Sequence, residues 1–340
     1  MKALFYDPHK QDIFIEETPV PALQPNDVLL KMDMCGICGS DVVAWKGGFK
    51  RITEPVILGH EGVGYIADLN GLDNTGFKLG ERVVLEPLDT CGQCDACKKG
   101  HYNVCEHFKI HGIDKPGLFA EYVAARADRI HKIDDSVSVE RCATCEPVSV
   151  GVHMVRRADV SYGDTVVISG AGPIGLLVGI ISLRAGASKV IITDMNEYKL
   201  NLARELGMIP VNIKDEDFIE QIFAHLNGKY ADVAFELVGV ADALNTCLKV
   251  AKCRGTLLTA GMFKSIPSVE MGQAIFKEVN IVGSRVYTYD DYEKAIHLLE
   301  DPTFPIEKLI SAVVPFEDVK EQGFRPLREG KDLVKVLVKI

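Results

Sequence analysis

The sequence has few basic residues, and this shortage excludes a first class of partner. Lys and Arg total 38 residues against 48 for Asp and Glu, which gives the 340-residue chain a formal net charge of −10. A protein that binds a phosphate backbone needs a basic face. We therefore expect no nucleic-acid partner, and the chain contains no internal repeat or low-complexity tract that would indicate a fibrous or disordered protein.

Long apolar runs are missing as well. The most apolar stretch, residues 165–183, is interrupted by glycines and a proline, which indicates a strand, a turn and a helix rather than a membrane span. The first ten residues contain no apolar region of the kind found in secretory signals. These observations predict a cytoplasmic protein with no membrane partner.

Cysteine, in contrast, is abundant, with ten residues. A cytoplasmic chain does not normally keep a disulfide framework, so metal ligation is the first explanation to consider. Five cysteines lie outside any ligand pattern and are expected to be small buried hydrophobes: Cys35, Cys142, Cys145, Cys247 and Cys253.

The length predicts about two domains, because 340 residues exceed what one hydrophobic core usually serves. Residues 1–147 are rich in Gly, Pro, Cys and short strand-like runs. Residues 148–284 alternate apolar runs with helical patterns. Residues 285–340 return to the first texture and end in an alternating segment suited to a final strand of the first domain. The sequence therefore predicts a β-rich discontinuous domain with a second domain inserted into it.

The inserted segment contains six candidate strands: Thr165–Ser169, Val190–Thr193, Ile209–Ile213, Asp232–Leu237, Thr256–Ala260 and Asn280–Gly283. Helical patterns separate them, for example residues 197–206 behind the N-cap candidate Asn196. Strands joined by helical crossovers predict an α/β fold with a doubly wound parallel sheet of the Rossmann type.

A glycine-rich turn follows the first of these strands. Gly170, Gly172 and Gly175 form the pattern G-x-G-x-x-G between a strand and a helix, the setting that a dinucleotide-binding turn requires. The three glycines permit a tight turn, the approach of a pyrophosphate and close packing of helix and strand. Pro173 and Ile174 begin the helix, whose free N–H groups would face the phosphates.

An acidic residue completes the dinucleotide pattern. Asp194 lies 19 residues after Gly175, at the end of the second candidate strand. A carboxylate at this position accepts hydrogen bonds from the adenosine ribose and repels a 2′-phosphate. No Arg follows at positions 195 or 196. The pattern therefore predicts dinucleotide binding, and NAD rather than NADP.

Four cysteines lie within fifteen residues: Cys91, Cys94, Cys97 and Cys105. Four thiolates close a tetrahedral zinc site with no open position. An iron–sulfur cluster is the main alternative, but ferredoxin patterns continue with three residues and Cys-Pro, whereas seven residues precede Cys105 and no proline follows it. Unliganded thiols so close together would oxidise readily. We predict a structural zinc in a lobe of about residues 88–108, with His101, His107 and His111 on its surface or in turns.

A second group of candidate ligands is spread over the first 147 residues. Cys38 lies in Gly-Ile-Cys-Gly-Ser-Asp, His60 and Glu61 lie in Gly-His-Glu-Gly-Val-Gly, and Glu146 precedes a proline. One thiolate, one imidazole and one or two carboxylates would form a zinc site with an exchangeable position. Each residue also has an ordinary interpretation as part of a turn or the end of a strand, so spacing alone leaves this site undecided.

These motifs, in this order, resemble the zinc-dependent medium-chain alcohol dehydrogenase family, and the similarity runs essentially from end to end. Within the family the chain is most similar to the polyol branch, which contains sorbitol and butanediol dehydrogenases, and is close to threonine dehydrogenases. The resemblance implies a GroES-like catalytic domain around the Rossmann domain. It also implies a homo-oligomer, a dimer or a tetramer.

The resemblance implies two Zn²⁺ per chain, one structural and one catalytic. Cys38, His60 and Glu61 would ligate the catalytic zinc. Glu146 would either be a ligand itself or hold the water beside the zinc, so the resemblance leaves the direct carboxylate ligand open. The four neighbouring cysteines would bind the structural zinc.

The resemblance also implies roles for residues around these ligands. Asp41 would orient His60 and raise its basicity. Ser40 would relay the substrate proton through the nicotinamide ribose towards solvent, although the residue could also cap a turn. Lys199 would contact the adenosine ribose or would be solvated.

The implied reaction is NAD-dependent oxidation of a secondary alcohol, a polyol or cyclitol, to a ketone by hydride transfer. A threonine-type amino-alcohol 3-dehydrogenase is the nearest alternative. Residues 42–44 are Val-Val-Ala, where sorbitol and threonine dehydrogenases usually carry a histidine, so the resemblance implies a substrate class rather than one specific substrate. A non-catalytic NAD-binding protein would be expected to have lost Cys38, His60 or Glu61, and all three are present.

Overall fold

The computed structural model describes residues 1–72 and 76–340, and the chain divides into two compact units. One unit contains Met1–Glu146 and Thr288–Ile340, and the other contains Pro147–Tyr287. The sequence interpretation placed the inserted segment at residues 148–284. The first unit is therefore assembled from two separate parts of the chain.

The described residues form strands β1 Lys2–Asp7, β2 Asp12–Glu17, β3 Asp27–Gly36, β4 Val56–Ile57, β5 Glu61–Asp68, β6 Arg82–Leu85, β7 Leu88–Asp89, β8 Lys109–Ile110, β9 Tyr122–Arg126, β10 Ile130–Lys132, β11 Thr165–Ser169, β12 Lys189–Asp194, β13 Ile209–Asn212, β14 Ala231–Glu236, β15 Ala251–Thr259, β16 Asn280–Gly283, β17 Ile310–Pro315 and β18 Lys335–Lys339. They also form helices α1 Gly39–Trp45, α2 Asp95–Lys98, α3 Val139–Cys142, α4 Cys145–Arg157, α5 Pro173–Arg184, α6 Glu197–Glu205, α7 Phe218–His225, α8 Ala241–Val250, α9 Met271–Lys277, α10 Tyr289–Glu300 and α11 Arg325–Arg328. Short 3₁₀ and π turns occupy Tyr102–Val104, Ala127–Arg129, Ile306–Leu309, Phe316–Asp318 and Val319–Phe324. Within these described ranges, no helix is both long and apolar enough to cross a membrane.

The first unit is built around a seven-stranded sheet with the order β10-β6-β5-β3-β18-β17, in which β9 also pairs with β3. Alternate residues of β3, for example Val28, Leu30 and Met32, are buried, because successive side chains of a strand point to opposite faces. The C-terminal strand β18 pairs antiparallel with β3, with Leu337 opposite Gly36. The C-terminal strand therefore belongs to the sheet of the first unit. This pairing places the last residues beside the β3–α1 connection.

The second unit is a six-stranded parallel sheet with the order β13-β12-β11-β14-β15-β16. The predicted α/β, doubly wound fold is confirmed. The central strand β11 has consecutive buried residues, Val166 to Ile168, as expected for a strand covered by helices on both faces. The strand order reverses between β11 and β14, so the carboxyl ends of these two strands flank the crevice where such sheets bind ligands.

Local signals explain the elements next to this crevice. The Asn196 side chain accepts a hydrogen bond of 3.1 Å from the Lys199 N–H and so caps α6, as predicted.

Of the five cysteines expected to be buried, Cys253 is exposed, so that expectation is wrong for this residue. Cys253 lies in β15, and residues 252–254 of this strand are exposed.

Candidate active site

Helix α1 brings the first candidate ligand to a fixed position. Cys38 is the N-cap residue, and its backbone N–H donates a 2.9 Å hydrogen bond to Oδ2 of Asp41 in the first helical turn. The Asp41 side chain is buried, and its Oδ1 accepts a 3.3 Å hydrogen bond from the N–H of Gly59. One carboxylate therefore joins the two segments that carry Cys38 and His60.

Asp41 and Ser40 flank the two ring nitrogens of His60. Nδ1 of His60 lies 3.5 Å from Oδ1 of Asp41, and Nε2 lies 3.3 Å from the hydroxyl oxygen of Ser40. Burial alone would lower the pKa of His60, but the charges of Asp41 and Cys38 raise it well above its ordinary value. Burial raises the pKa of Asp41, although His60 opposes that shift. The arrangement concentrates negative charge around a buried imidazole.

The structure brings together Cys38, His60 and Glu61, the three residues that the family resemblance implied as ligands. One donor atom of each residue lies within 4.8 Å of a donor atom of the other two. A thiolate, an imidazole and a carboxylate are all zinc ligands, and three protein donors leave a position for a small molecule. The buried negative charge described above also suits a divalent cation. These residues therefore fit a catalytic zinc.

Glu146 occupies a different position. It is the second residue of α4 and is 5% exposed, but in the described structure it is not one of the three residues whose donor atoms converge. Its charge nevertheless contributes to raising the pKa values of His60 and Lys335. Glu146 is therefore an electrostatic neighbour of the site, and a role in metal binding stays a prediction.

Lys335 is a residue of this site that the sequence analysis did not identify. Its ammonium group lies 2.8 and 2.7 Å from the two carboxylate oxygens of Glu61 and 3.2 Å from the carbonyl oxygen of Ile37. The side chains of Lys335 and Glu61 are 5% and 1% exposed. Only the pairing of β18 with β3 brings this lysine, 274 residues away along the chain, to Glu61. No spacing in the sequence signals such a contact.

The four-cysteine lobe has the geometry of a closed metal site. The sulfur atoms of Cys91 and Cys105 lie 3.5 Å apart, those of Cys94 and Cys105 lie 3.9 Å apart, and those of Cys91 and Cys97 lie 4.0 Å apart. A tetrahedral zinc with Zn–S distances of about 2.3 Å requires sulfur atoms about 3.8 Å apart. The four residues therefore fit the structural zinc.

Backbone N–H groups favour the thiolate form of two of the four cysteines, Cys91 and Cys94, whereas burial raises the pKa of Cys97 to about 12. The N–H groups of Glu106 and Cys97 lower the pKa of Cys94 to about 6, and those of Gln93 and Cys94 lower the pKa of Cys91. Thiolates are the form that binds zinc. The sequence analysis expected His111 on the surface or in a turn, and the surface position is wrong. Its side chain is buried, and Nδ1 lies 2.7 Å from the Pro116 carbonyl oxygen.

The glycine turn of the second unit has the geometry of a dinucleotide cradle. Gly172 is the N-cap of α5 and Pro173 its first residue, with Ile174 next. A Cβ at Gly175 would lie 1.9 Å from the Gly170 carbonyl oxygen, so helix and strand can approach this closely only without a side chain there. A Cβ at Gly172 would meet no atom within 4 Å. The space in front of Gly172 is therefore open to a ligand.

Asp194 connects the glycine turn to the end of β12. Its Oδ2 accepts a 2.8 Å hydrogen bond from the Ala171 N–H, and its Oδ1 accepts hydrogen bonds of 2.8 and 3.0 Å from the N–H groups of Met195 and Asn196. These three N–H groups fix the carboxylate beside the turn. Lys199 lies in the first turn of α6, and contact between its side chain and a ribose stays a prediction.

A cavity of about 260 Å³ lies beyond the carboxyl ends of β14 and β15, lined by Val238–Ala241 and Met262–Pro267. Glu236, which the sequence analysis also missed, connects these loops. Its Oε1 accepts hydrogen bonds of 2.8 and 2.6 Å from the N–H groups of Val238 and Gly239, and the Thr259 hydroxyl donates to Oε2 at 3.1 Å. The signal available in the sequence was an acidic residue at the end of an apolar strand. Its role becomes visible only when the neighbouring strand, which carries Thr259, is known.

Comparison with known families gives two matches along the chain. Residues 24–135 match the family described as alcohol dehydrogenase GroES-like domain. Residues 173–301 match the family described as zinc-binding dehydrogenase. The first match contains seven of the eight predicted metal ligands, and the second begins in the glycine turn.

Similar proteins cover nearly the whole chain. A 2-dehydro-3-deoxy-L-galactonate 5-dehydrogenase from Pseudoalteromonas atlantica is 35% identical over 88% of this chain and 87% of its own. A sorbitol dehydrogenase from Bombyx mori is 34% identical over 91% of both chains. The crystal structure of 2R,3R-butanediol dehydrogenase from Bacillus subtilis is 30% identical, covers 100% of this chain and 99% of its own, and superposes with a TM-score of 0.91.

Proposed function

Because the chain belongs to the zinc-dependent medium-chain alcohol dehydrogenase family, we propose that it oxidises a secondary alcohol of a polyol or cyclitol to a ketone, with NAD⁺ as hydride acceptor. The observation that carries the proposal is the convergence of the donor atoms of Cys38, His60 and Glu61 within 4.8 Å. The proposed cofactors are NAD and two Zn²⁺ per chain, one at this group and one at the four-cysteine lobe. The relatives with similar sequences act on sugar-derived alcohols according to their names, and this supports the substrate class.

The residues of the first unit would prepare the alcohol for reaction. Zinc at Cys38, His60 and Glu61 would supply a Lewis acid that makes the substrate hydroxyl more acidic. Asp41 holds the segments of Cys38 and His60 together and fixes the imidazole ring. Ser40 is half-buried beside Nε2 of His60, and its hydroxyl would relay the proton of the substrate through the nicotinamide ribose towards solvent. Glu146 adds negative charge beside these residues and is the second candidate for the carboxylate ligand.

The residues of the second unit would bind the cofactor. NAD⁺ supplies the hydride-accepting carbon, while the protein supplies position and electrostatics. The N–H groups at the start of α5 would face the pyrophosphate in front of Gly172. Asp194 would accept hydrogen bonds from the adenosine ribose and exclude a 2′-phosphate. Lys199, Pro173 and Ile174 would complete this surface.

The decisive experiment is a panel of polyols and cyclitols followed by NADH absorbance, with metal content measured in parallel. We expect NAD⁺ reduction with at least one member of the panel and two zinc atoms per chain. L-Threonine serves as the comparison substrate. NAD⁺ reduction with L-threonine alone would replace the polyol assignment by the amino-alcohol alternative.

Cys38→Ala tests the proposed catalytic zinc site in the same assay. The variant should lose NAD⁺ reduction by at least a hundredfold and should bind NADH as the wild type does, because Cys38 lies in the first unit and the glycine turn lies in the second. Normal turnover by this variant would refute the assignment of the catalytic metal site.

The proposal includes a homo-oligomer, a dimer or a tetramer. Strand β16 is the last strand of the parallel sheet and pairs with β15 alone among the described strands. Large apolar side chains around it are exposed, and we call this set the apolar edge: Met262, Ile266, Met271, Ile275, Phe276 and Ile281. An apolar patch beside an unpaired sheet edge is typical of a subunit interface.

A cytoplasmic location is also part of the proposal. None of the ten cysteines forms a disulfide in the structure, and a reducing compartment keeps the proposed zinc ligands reduced. Fractionation of cells that express the protein would test this location.

A further inference from the structure

Lys335 and Glu61 form a buried ion pair at the edge of the proposed catalytic zinc site. Both oxygens of the Glu61 carboxylate accept hydrogen bonds from the Lys335 ammonium, at 2.8 and 2.7 Å. At the same time, a Glu61 oxygen is one of the three converging donor atoms. Glu61 is therefore shared between a fixed cation of the protein and the metal that the site fits.

The position of this pair is determined by the sheet. Lys335 begins β18, and its ammonium also donates to the carbonyl oxygen of Ile37 at 3.2 Å. Glu61 lies opposite Gly36 on the neighbouring strand, and a Cβ at Gly36 would come 2.2 Å from Oε2 of Glu61. The carboxylate therefore lies directly over the backbone of β3, with no room to move in that direction. On its other sides it contacts the lysine, and one of its oxygens lies within 4.8 Å of donor atoms of Cys38 and His60.

Charge explains why a lysine is needed there. Asp41, Glu61 and Glu146 place three carboxyl groups in a buried region. A buried carboxylate without a partner is strongly unfavourable. Lys335 neutralises Glu61 whether or not a metal is bound. A carboxylate with both oxygens already hydrogen-bonded is also a weaker metal ligand than a free one.

We propose that Lys335 is a positioning residue that makes Glu61 an exchangeable zinc ligand, drawing the carboxylate aside so that a coordination position opens for the substrate. This inference rests on the proposed function, and it addresses the question that the sequence left open about the carboxylate ligands. It predicts that removing the lysine charge strengthens the hold of Glu61 on the metal.

The test compares Lys335→Met with Lys339→Met. Lys339 lies on the same strand, and its side chain is 54% exposed and pairs with Asp33 at the surface. Zinc is removed from the open site with a chelator until one of the two zinc atoms remains. Thermal unfolding is then measured for both metal states, and zinc affinity is measured by chelator competition.

Lys335→Met should bind zinc at least tenfold more tightly than the wild type. It should lower the melting temperature of the zinc-depleted protein clearly more than that of the loaded protein, because zinc replaces the lysine as partner of Glu61. With Co²⁺ in the open site, the visible absorption spectrum should change, since the carboxylate becomes a permanent ligand. The kcat of the loaded enzyme should fall at least tenfold. Lys339→Met should match the wild type in all four measurements.

Two further variants show whether the effect passes through Glu61. Lys335→Arg keeps the charge and should hold zinc affinity within threefold of the wild type. In the double variant Lys335→Met with Glu61→Gln, the gain in zinc affinity should disappear. An equal loss of melting temperature in both metal states, or unchanged or weaker zinc binding by Lys335→Met, overturns the proposal.

The remaining outcomes are also decisive. If Lys335→Met folds only when zinc is supplied throughout purification, the proposal is supported. If the variant does not fold even with zinc, Lys335 is a packing residue and the proposal is overturned. Failure of the wild type to oxidise any polyol would refute the proposed function. The zinc affinity and Co²⁺ spectra would still test the role of Lys335, so the two failures can be distinguished.

Discussion

At the scale of single residues, three carboxylates fix neighbouring segments in the two units; Asp41 and Glu236 are buried and Asp194 is half-buried. Asp41 connects the segments of Cys38 and His60, Asp194 connects the glycine turn to β12, and Glu236 connects two loops at the cavity. Each accepts backbone N–H hydrogen bonds, which satisfy the charge in a region with little water. The sequence identified Asp41 and Asp194 because they stand at fixed distances within motifs. It missed Glu236 and Lys335, whose partners are distant in the chain or on another strand.

Replacing Asp194 should change the choice of cofactor. Asp194→Asn keeps an oxygen that can accept the Ala171 N–H and removes the charge that repels a 2′-phosphate. We expect the ratio of kcat/KM for NADP⁺ to that for NAD⁺ to rise by about tenfold or more. Asp215→Asn, at an exposed position of the same unit, is the control and should leave the ratio unchanged. An unchanged ratio in Asp194→Asn would show that another residue selects the cofactor.

His111 should make the protein less stable in mild acid. Burial, with the nearby Lys115, lowers the pKa of His111 from 6.5 to about 4. Between these two values the unfolded chain binds a proton that the folded chain does not, so stability falls as the pH decreases through this window. At pH 5 the contribution of this residue amounts to about 2 kcal/mol relative to pH 7.5.

The variant His111→Gln tests this pH dependence. Gln does not titrate and keeps a donor for the Pro116 carbonyl, so the variant should lose about 2 kcal/mol less than the wild type between pH 7.5 and pH 5. Chemical unfolding at both pH values measures the difference, and the zinc ligands common to both proteins cancel. Parallel stability curves for the two proteins would contradict the expected titration.

At the scale of elements, the two glycines at the start of α5 have different functions. Gly172→Ala should fold normally, because φ is −70° and a Cβ would meet no atom within 4 Å, but it should weaken NADH binding at least tenfold by intruding on the pyrophosphate. Gly175→Ala should lower the free energy of unfolding by about 1–3 kcal/mol, because its Cβ would overlap the Gly170 carbonyl oxygen. Fluorescence titration and thermal unfolding separate the two effects. Equal effects of both substitutions on stability would exclude this division of roles.

The four-cysteine lobe should depend on its metal for stability. Cys97→Ser removes one of four ligands, so the zinc content should fall from two atoms per chain to one and the free energy of unfolding should fall by about 3 kcal/mol or more. Cys253→Ser is the matched control, since Cys253 is exposed and belongs to neither group of proposed zinc ligands. Metal analysis and thermal unfolding measure both changes. Full zinc content in Cys97→Ser would show that the lobe does not hold a metal through this residue.

The short elements of the lobe and of α1 could be anticipated only in part. The cysteine spacing predicted a closed metal site, and the sulfur distances of 3.5–4.0 Å agree with one. Helix α1, with seven residues, has no long apolar period to predict it. It forms because Asp41 caps its first turn and because Val42, Ala44 and Trp45 pack into the first unit.

At the scale of the whole molecule, the apolar edge should be a subunit contact. Phe276 is 90% exposed, and an interface of ordinary size buries about 800 Å² per partner, which usually requires such an apolar centre. Phe276→Asp should reduce the oligomer to a smaller species in light scattering after size-exclusion chromatography. Tyr162→Asp is the control, because Tyr162 is 92% exposed on the same unit and outside the edge. A monomeric wild-type protein would contradict the expectation directly.

The sequence alone determined the class of the second unit and the identity of the candidate ligands. Six apolar strands, a glycine turn and an acid at a fixed distance are local patterns, and the four cysteines lie within one short segment. Local patterns can be recognised in a sequence because the residues that cooperate are neighbours in the chain.

Only the tertiary structure decided how the dispersed residues of the first unit meet. The pairing of β18 with β3 and of β3 with β5 brings Lys335 to Glu61, and a hydrogen bond from Gly59 to Asp41 brings His60 to Cys38. Strand pairing between distant segments depends on the packing of the entire sheet, which no short stretch of sequence specifies. For that reason the chemistry of Glu61 could be stated only after its partner at the other end of the chain was known.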